Sequence, residues 1–412
     1  MTSNEWDELS LNASKVFTPA APVDERQLFA GRIDQLRQVI DVIHQKGQHA
    51  IIFGERGVGK TSLANILAKI SSPMLALAIR KNCDSSDNYH TLWEKIFADI
   101  ILNKETQQIG FTGGKSVEFV SLMNDVKGPI SPDIVRQILT RLSAQCTPII
   151  ILDEFDRIPK PETRATVADT IKMLSDNAVG ATIILVGVAD SVDQLIKEHL
   201  SIERALVQIK MPRMSNDEVK EIIDKGLNIL GMTINDDAKN YIILLSQGLP
   251  HYTHLLALHS VRQAIDSKMK TISLKHVESA ISKALQQAQQ TILGAYHKAI
   301  RSPRKDTIFA QVLLACALTS TDELGFFAAA DVRRPLSMIM NKQYEVPGFS
   351  RHLNDFCEAE RGPILHKIGR IRKYRFRFVN PLMQPFVIMQ GCTNKLIDKE
   401  LLESSRRLSI KK

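Results

Sequence analysis

The chain is poor in cysteine, and the spacing of its cysteines does not fit the zinc and redox motifs that contain C-x-x-C. Its 412 residues contain only five cysteines, and no two of them have the C-x-x-C spacing of zinc or redox motifs. A zinc site is therefore not expected. Their odd number and their scatter along the chain favour free thiols in a reducing compartment. The five residues are Cys83, Cys146, Cys316, Cys357 and Cys392.

Long apolar runs are also missing. None approaches the roughly 18 residues that a membrane-spanning helix requires, so no membrane association is expected. The first eight residues are acidic and lack the basic flank and apolar core of a signal peptide, which favours a cytoplasmic protein. The charged fraction of 24% and the chain length suit a globular protein of two or three domains. The net charge of +8 is compatible with an anionic partner.

The chain does contain a glycine-rich segment between a predicted strand and a predicted helix. Residues 54–61, GERGVGKT, fit the pattern G-x-x-x-x-G-K-[ST] at every fixed position. The apolar run at 49–53 predicts the strand, and the helical apolar spacing over 62–70 predicts the helix. Backbone N–H groups of such a loop, together with the helix N-terminus, bind a polyphosphate. The alternative is a plain glycine turn before a helix.

Each position of this segment has an expected role. Lys60 is expected to reach the outer phosphates and to act in catalysis, and Thr61 is expected to place its hydroxyl on Mg²⁺. The other residues of the segment expected to contact the nucleotide are Gly54, Glu55, Arg56, Gly57, Val58, Gly59 and Ser62.

An acidic motif follows a second apolar run. Residues 148–152 are fully apolar, which predicts a central parallel strand buried on both faces. Asp153 and Glu154 would then emerge at the carboxyl edge of the sheet, where ligands of open α/β folds bind. We expect Asp153 to hold Mg²⁺ through water, and Glu154 to orient or deprotonate the attacking water. Asp156 is assigned either to the site or to a capping role. The alternative is a strand that ends in a charged turn.

The pattern of elements predicts an α/β fold followed by helical and mixed regions. Strands alternate with helices over 25–212, which indicates a parallel sheet covered on both faces. Only helices are predicted over 213–300, as a lid. Three helices and a β-hairpin, the winged-helix order, are predicted over 303–392. A flexible arm at 1–24 and a basic tail at 393–412 complete the chain, and the insertion at 103–130 has no assigned role.

Six segments resemble, in the same order, those of AAA+ ATPases of the origin-recognition type and of STAND-like ATPases. The phosphate loop, the acidic strand and the strand at Ile183 are three of them. Residues 28–32, LFAGR, resemble the Phe-x-Gly-Arg box that lies beside the adenine, which implies nucleotide contacts for Phe29, Gly31 and Arg32. The resemblance covers residues 28–290 most strongly, and it implies the AAA+ form of the P-loop NTPase fold.

Two further segments carry this resemblance. Residues 201–204, SIER, resemble the box that supplies an arginine finger, which implies that Arg204 completes the site of a neighbouring subunit. A surface arginine is the alternative, and Arg213 is the nearest rival for the role. Residues 248–252, GLPHY, resemble the lid motif, which implies nucleotide contacts for Pro250 and His251.

The sequence departs from the family pattern at two positions. The first polar sensor falls near Ala189, whose side chain cannot form a hydrogen bond, and Asp190 or Ser191 is the substitute. His251 stands where many members have a sensor arginine. Both departures favour slow hydrolysis with the nucleotide acting as a switch.

The predicted hairpin is the second functional signal. From Arg361 to Lys395 the sequence contains no Asp or Glu, and such a cluster of cations suits the phosphates of DNA. The alternatives are a solvated face and an acidic protein partner. The residues expected to contact nucleic acid are Lys367, Arg370, Arg372, Lys373, Arg375 and Arg377.

Two functions follow from these features. The first is an ATPase that uses ATP and Mg²⁺ and assembles as a homo-oligomer on duplex DNA, with ATP gating the assembly. The second is a STAND-like switch, bound to ATP or ADP, whose winged helix binds an effector protein. Salt-dependent binding to duplex DNA separates the two.

Overall fold

The structure is a computed structural model, and the chain divides into two compact units. One unit comprises Arg32–Gly54 and Lys60–Met211, and the other comprises Met1–Gly31, Glu55–Gly59 and Pro212–Lys412. The residues that the structure describes are 3–19, 21, 30–70, 76–107, 115–126, 128–188, 202–302, 307–322, 324–370 and 373–409.

The helices and strands are numbered in chain order. The helices are α1 Ser3–Val16, α2 Ile33–Ile43, α3 Lys60–Ile70, α4 Tyr89–Asp99, α5 Pro132–Leu142, α6 Pro161–Asp176, α7 Asn216–Leu230, α8 Asp236–Ser246, α9 Pro250–Asp266, α10 Leu274–Gln286, α11 Gln290–Ile300, α12 Phe309–Leu318, α13 Ala329–Met340, α14 Ser350–Asp355, α15 Met383–Thr393 and α16 Lys399–Ser409. The strands are β1 His49–Phe53, β2 Ala76–Asn82, β3 Ile101–Gln107, β4 Lys115–Ser121, β5 Thr147–Asp153, β6 Thr182–Gly187, β7 Leu206–Lys210, β8 Thr233–Ile234, β9 Thr271–Ile272, β10 Phe327–Ala328, β11 Leu365–Ile368 and β12 Arg375–Phe378.

The α/β unit is built on a five-stranded sheet in the order β2-β5-β6-β1-β7. Every neighbouring pair in this sheet is parallel, which confirms the predicted α/β class. Residues 149–152 of β5 are buried, as expected for a central strand that helices cover on both faces. Trp93 and Phe97 of α4 are fully buried in the same core, because the helical spacing of the apolar residues places both on one face.

The insertion without a predicted role contains a β-hairpin. Strands β3 and β4 pair antiparallel, with Ile101 opposite Ser121 and Gln107 opposite Lys115. The hairpin forms a separate two-stranded sheet rather than an extension of the parallel one.

The second unit contains the helices of the predicted lid, and its details correct two expectations. Ser215 and Glu218 form the predicted capping box at the start of α7. The predicted flexible arm is wrong for residues 3–16, which form α1. Phe17, directly after α1, is buried, and its ring packs so closely on Gly226 that a Cβ there would overlap it. The sequence predicts one helix from Ser273 toward Ala299, and this prediction is also wrong, because α10 and α11 are separate helices.

The C-terminal module, residues 307–392, has helices α12 to α15 and a three-stranded antiparallel sheet in the order β10-β12-β11. Strands β11 and β12 form the hairpin that the alternation of aromatic and basic residues predicts. Strand β10 was not predicted; it pairs Phe327 with Phe376 of β12. The predicted basic tail contains a helix, α16. Among the described residues, no helix combines the length and the apolar character that crossing a membrane would require.

A buried histidine makes the stability of the α/β unit dependent on pH. Nδ1 of His49 accepts a hydrogen bond of 2.9 Å from the backbone N–H of Ile183, and burial lowers the pKa of His49 to about 4. Between pH 6.5 and 4 the unfolded chain therefore binds a proton that the folded chain does not, so stability is lost as the pH falls.

We expect His49 to lower the unfolding free energy by about 2 kcal/mol between pH 7 and pH 5. In His49→Asn, the Oδ1 atom can take over the role of Nδ1 as acceptor without titrating, so this variant should lose about that much less stability over the same range. Urea denaturation at the two pH values measures the difference. An equal pH dependence in the two proteins would contradict the assignment.

Candidate nucleotide-binding site

The loop between β1 and α3 has a backbone shape that depends on glycine. Gly57 and Gly59 have φ angles of 86° and 96°, a left-handed region that other residues rarely adopt. Gly54 lies against the carbonyl group of Met211, where a Cβ would overlap the oxygen. Nζ of Lys60 donates a hydrogen bond of 3.1 Å to the carbonyl oxygen of Gly54, so the side chain folds back along its own loop. This loop has the form of an anion cradle.

Asp153 ends β5 at the same edge of the sheet as the loop. Only β6 separates β5 from β1, and neighbouring strands lie about 4.8 Å apart, so the two motifs are about 10 Å apart across the sheet. A polyphosphate and its metal ion fit such a span. Thr61, the other predicted metal ligand, is half-buried in the first turn of α3.

The carboxylate of Asp153 already has partners. It is 2% exposed, and its Oδ2 accepts hydrogen bonds from Nη2 of Arg80 at 2.7 Å and from Nε at 3.2 Å. Its Oδ1 accepts from the backbone N–H of Glu154 at 2.8 Å. These contacts hold the Asp153 carboxyl group at a fixed position. Sequence reasoning missed Arg80, although a basic residue near the carboxyl end of β2 was a usable signal.

Glu154 has an unusual backbone and an exposed side chain. Its φ of 54° lies in the left-handed region, which is strained for a residue other than glycine. Its side chain is 47% exposed and forms an ion pair of 2.9 Å with Arg157. Asp156 accepts a hydrogen bond of 3.2 Å from the backbone N–H of Val188, which joins the ends of β5 and β6. This contact differs from the capping of the following segment that was open for Asp156, because Val188 lies after β6.

The adenine box is only partly described. Phe29 lies outside the described residues. Gly31 has a φ of 65° and donates its N–H to Oε2 of Glu221 at 2.8 Å. A Cβ on Gly31 would come within 3.0 Å of the side chain of Glu218. Arg32 is 3% exposed, with a left-handed backbone just before α2.

The lid motif lies beside the phosphate loop within the second unit. Pro250 opens α9, and a Cβ built on Gly59 would lie 3.8 Å from its ring. Nδ1 of His251 lies 2.8 Å from the carbonyl oxygen of Pro19. Burial lowers the pKa of His251, so the ring is neutral at pH 7 and does not supply the positive charge of a sensor arginine.

Arg204 is open to solvent. Its side chain is 81% exposed and forms an ion pair of 3.1 Å with Asp176, a kind of pair that contributes little to stability. Ser201, in the same box, lies outside the described residues, as do Ala189, Asp190 and Ser191 at the predicted first sensor.

Arg213 and Gln384 form a contact with the loop that the sequence did not reveal. Nε of Arg213 donates to Oε2 of Glu55 at 2.6 Å, and Nη1 donates to Oε1 of Gln384 at 2.6 Å. Sequence reasoning considered Arg213 only as a rival of Arg204. In the structure it is bound to the loop of its own chain. Arg56, the next loop residue, is exposed.

Three of the basic hairpin residues have partners within the C-terminal module. Lys367 donates to Asn354 at 3.0 Å. Arg375 pairs with Asp322 at 2.8 Å, and Arg377 lies over the ring of Phe326. These three side chains therefore contribute to the packing of the hairpin.

The tip of the hairpin has a different character. Arg370 and Lys373 are exposed there, and Arg372 lies outside the described residues. The exposed cations at the tip are those available to an external anion.

Comparison with known families identifies the phosphate-loop region. The sequence profile of the AAA domain family matches residues 43–196. This region of the chain resembles an AAA domain. Both the phosphate loop and the acidic strand lie within it. No curated protein matches the chain.

Several solved structures are similar to this chain. A Walker-type ATPase of Pyrococcus abyssi superposes with a TM-score of 0.52 at 15% identity, over 90% of this chain and 99% of its own. Cdc6p of Pyrobaculum aerophilum superposes with a TM-score of 0.47 at 14% identity, over 94% of this chain and 98% of its own. The ORC2 protein of Aeropyrum pernix, solved with ADPNP and ADP, superposes with a TM-score of 0.49 at 14% identity, over 97% of this chain and 98% of its own. At 15% identity, the likeness to the Pyrococcus abyssi ATPase concerns the fold alone.

Proposed function

We propose that this chain is an AAA+ ATPase that binds ATP with Mg²⁺, hydrolyses it slowly and assembles on duplex DNA, with ATP gating the assembly. One observation carries the nucleotide part. A glycine-dependent phosphate loop and a buried acidic strand end, separated by one strand, share the carboxyl edge of a parallel sheet. That edge is where ligands of such sheets bind.

The residues of the α/β unit suit hydrolysis of a phosphoanhydride. The backbone N–H groups of the loop and the ammonium of Lys60 bind the phosphates and stabilise the charge that develops on them. Thr61 and Asp153 are the residues that would hold Mg²⁺, which supplies positive charge when bound. Glu154 accepts the proton of the attacking water.

Two features support slow turnover. Glu154 forms an ion pair with Arg157, so its carboxylate must leave this partner before it can contact the attacking water. The neutral His251 leaves the lid position without a cation. Arg204 is exposed, so its guanidinium is accessible to the nucleotide of a neighbouring copy in a homo-oligomer.

The C-terminal module supports the DNA part of the proposal. Helices α12 to α14, with β10 before α13 and a β-hairpin at the end, follow the winged-helix order. The exposed Arg370 and Lys373 at the tip of the hairpin are suited to phosphates. Contacts of this kind position a protein on DNA without reading its sequence.

The contacts between this module and the phosphate loop favour the second candidate. Tyr252 of the lid donates a hydrogen bond of 2.7 Å to the carbonyl oxygen of Leu382, and Arg213 joins Glu55 to Gln384. A module bound to the nucleotide loop is what a STAND-like switch needs, with an effector protein as the partner of the hairpin.

Lys60→Ala tests the nucleotide site on which both candidates depend. The variant removes the cation that reaches the phosphates, so it should show no saturable binding of Mg²⁺-ATP at micromolar concentrations. Calorimetric titration makes the measurement. Lys69→Ala, at the far end of the same helix α3, loses the same charge and should bind like the parent protein. Parent-like affinity in Lys60→Ala would refute the assignment of the loop.

A further inference from the structure

Glu55 places a carboxylate in a loop that is proposed to bind a polyphosphate. The side chain is 12% exposed, so water screens its charge only in part. An uncompensated negative charge at this place would repel the phosphates of a nucleotide by an amount that matters at such short range. The loop therefore needs a positively charged group that neutralises Glu55.

Arg213 supplies the opposite charge. Its Nε lies 2.6 Å from Oε2 of Glu55, and the arginine side chain is itself 20% exposed. An ion pair in a partly buried position depends on geometry, because burial of both charges opposes their attraction.

Gln384 sets that geometry. The residue is 3% exposed, and its Nε2 donates a hydrogen bond of 2.7 Å to the carbonyl oxygen of Ala317. This bond fixes the amide so that Oε1 points to Nη1 of Arg213, at 2.6 Å. An amide has one acceptor oxygen and one donor nitrogen, so both ends are used. Gln384 thus holds Arg213 in place from the start of α15.

Two other residues of the C-terminal module pack on the loop. Gly325, with a φ of 79°, lies so close to Glu55 that a Cβ would overlap Oε1. A Cβ on Gly57 would lie 3.0 Å from Cδ2 of Leu382. The module therefore contacts the loop at the carboxylate and at the following glycine.

We propose that Arg213 is a positioning residue of the phosphate loop, which neutralises Glu55 and is held by Gln384, so that nucleotide affinity depends on the C-terminal module. The proposal rests on the proposed function, because it assumes that the loop binds nucleotide. It assigns Arg213 to the site of its own chain rather than to that of a neighbour.

A double-mutant cycle tests the charge. Arg213→Gln removes the positive charge beside Glu55 and should weaken binding of Mg²⁺-ADP about 10-fold, the order expected from the loss of one cation within about 10 Å of a polyanion. Glu55→Gln removes the carboxylate that Arg213 neutralises and should bind more tightly than Arg213→Gln. The double variant Glu55→Gln/Arg213→Gln should regain most of the loss, because no carboxylate remains. Titration calorimetry at constant salt gives the affinities, and thermal unfolding shows that each variant folds.

A pair of glycine variants tests, without a change of charge, whether the C-terminal module affects nucleotide affinity. Gly325→Ala should weaken Mg²⁺-ADP binding, because the new methyl group displaces Glu55. Gly231→Ala is its control: Gly231 has a similar φ of 61°, and a Cβ there meets nothing within 4 Å. The control should carry the same backbone strain and bind like the parent.

The outcomes separate this inference from the proposed function. If the parent binds and Lys60→Ala does not, the loop is a nucleotide site. Parent-like affinity in Arg213→Gln, or a double variant as weak as Arg213→Gln, then overturns the positioning role. Equal affinities of Gly325→Ala and Gly231→Ala overturn the role of the module. If the parent does not bind nucleotide, the proposed function and this inference both fail.

Discussion

Glu154→Gln should retain nucleotide binding and lose hydrolysis. The amide keeps the shape of the side chain but cannot accept the proton of the attacking water, and a general base contributes about 10²–10⁴-fold to a rate. The phosphates are bound elsewhere, by the loop and Lys60, so affinity for Mg²⁺-ATP should stay within about 2-fold of the parent. Phosphate release measures the rate, and calorimetry on the same preparations measures affinity.

Glu162→Gln is the matched control for this prediction. Glu162 is an exposed acid in the first turn of α6, so the change removes the same charge close in sequence to the proposed base. The control should hydrolyse ATP at the parent rate. If Glu154→Gln does so as well, Glu154 is not the base, and its ion pair with Arg157 is then a surface contact only.

The parts of the fold that sequence predicts best are those with local signals. Residues 54–61 contain the complete loop pattern, and residues 148–152 are apolar without interruption. Burial on both faces of a parallel strand requires this composition, so β5 was predictable together with the position of Asp153 at its end. The hairpin followed from the alternation of Phe376 and Phe378 with arginines, because side chains alternate across a strand.

The parts that sequence did not predict depend on contacts between distant residues. Arg80 and Asp153 are 73 residues apart, and Arg213 is separated from Glu55 by 158 and from Gln384 by 171. No local pattern encodes such pairs, because the fold alone brings them together. The helix α1 was not predicted for the same reason. Its apolar side chains are few, and the surface that buries Phe17 includes Gly226, more than 200 residues away.

These distant contacts change the interpretation of individual residues. Arg375 and Arg377 were expected to contact DNA, but Asp322 and the ring of Phe326 already engage them. Replacing them would disturb the hairpin itself. Arg370, Arg372 and Lys373, at its turn, are the residues whose replacement tests nucleic-acid binding.

Replacing Arg370, Arg372 and Lys373 together by Ser should flatten the salt dependence of duplex DNA binding. Each neutralised phosphate contributes about 0.9 to the slope of log K against log salt, so three lost contacts should reduce the slope by about 2.7. Filter binding on one duplex at several salt concentrations gives the slope. Nucleotide affinity should persist, since the contacts of the C-terminal module with the phosphate loop described above lie at Gly325 and Leu382.

The control must separate local contacts from total charge. Lys268, Lys270 and Lys275 are exposed lysines near β9 in the lid, and their joint replacement by Ser removes the same net charge from another surface. That variant should keep the parent slope if the hairpin tip is the contact. Equal slopes in the parent and in the folded tip variant would remove the hairpin from DNA binding. A solvated face and an acidic effector protein would then be the remaining explanations of the hairpin cations, and the STAND-like candidate would take the place of the first.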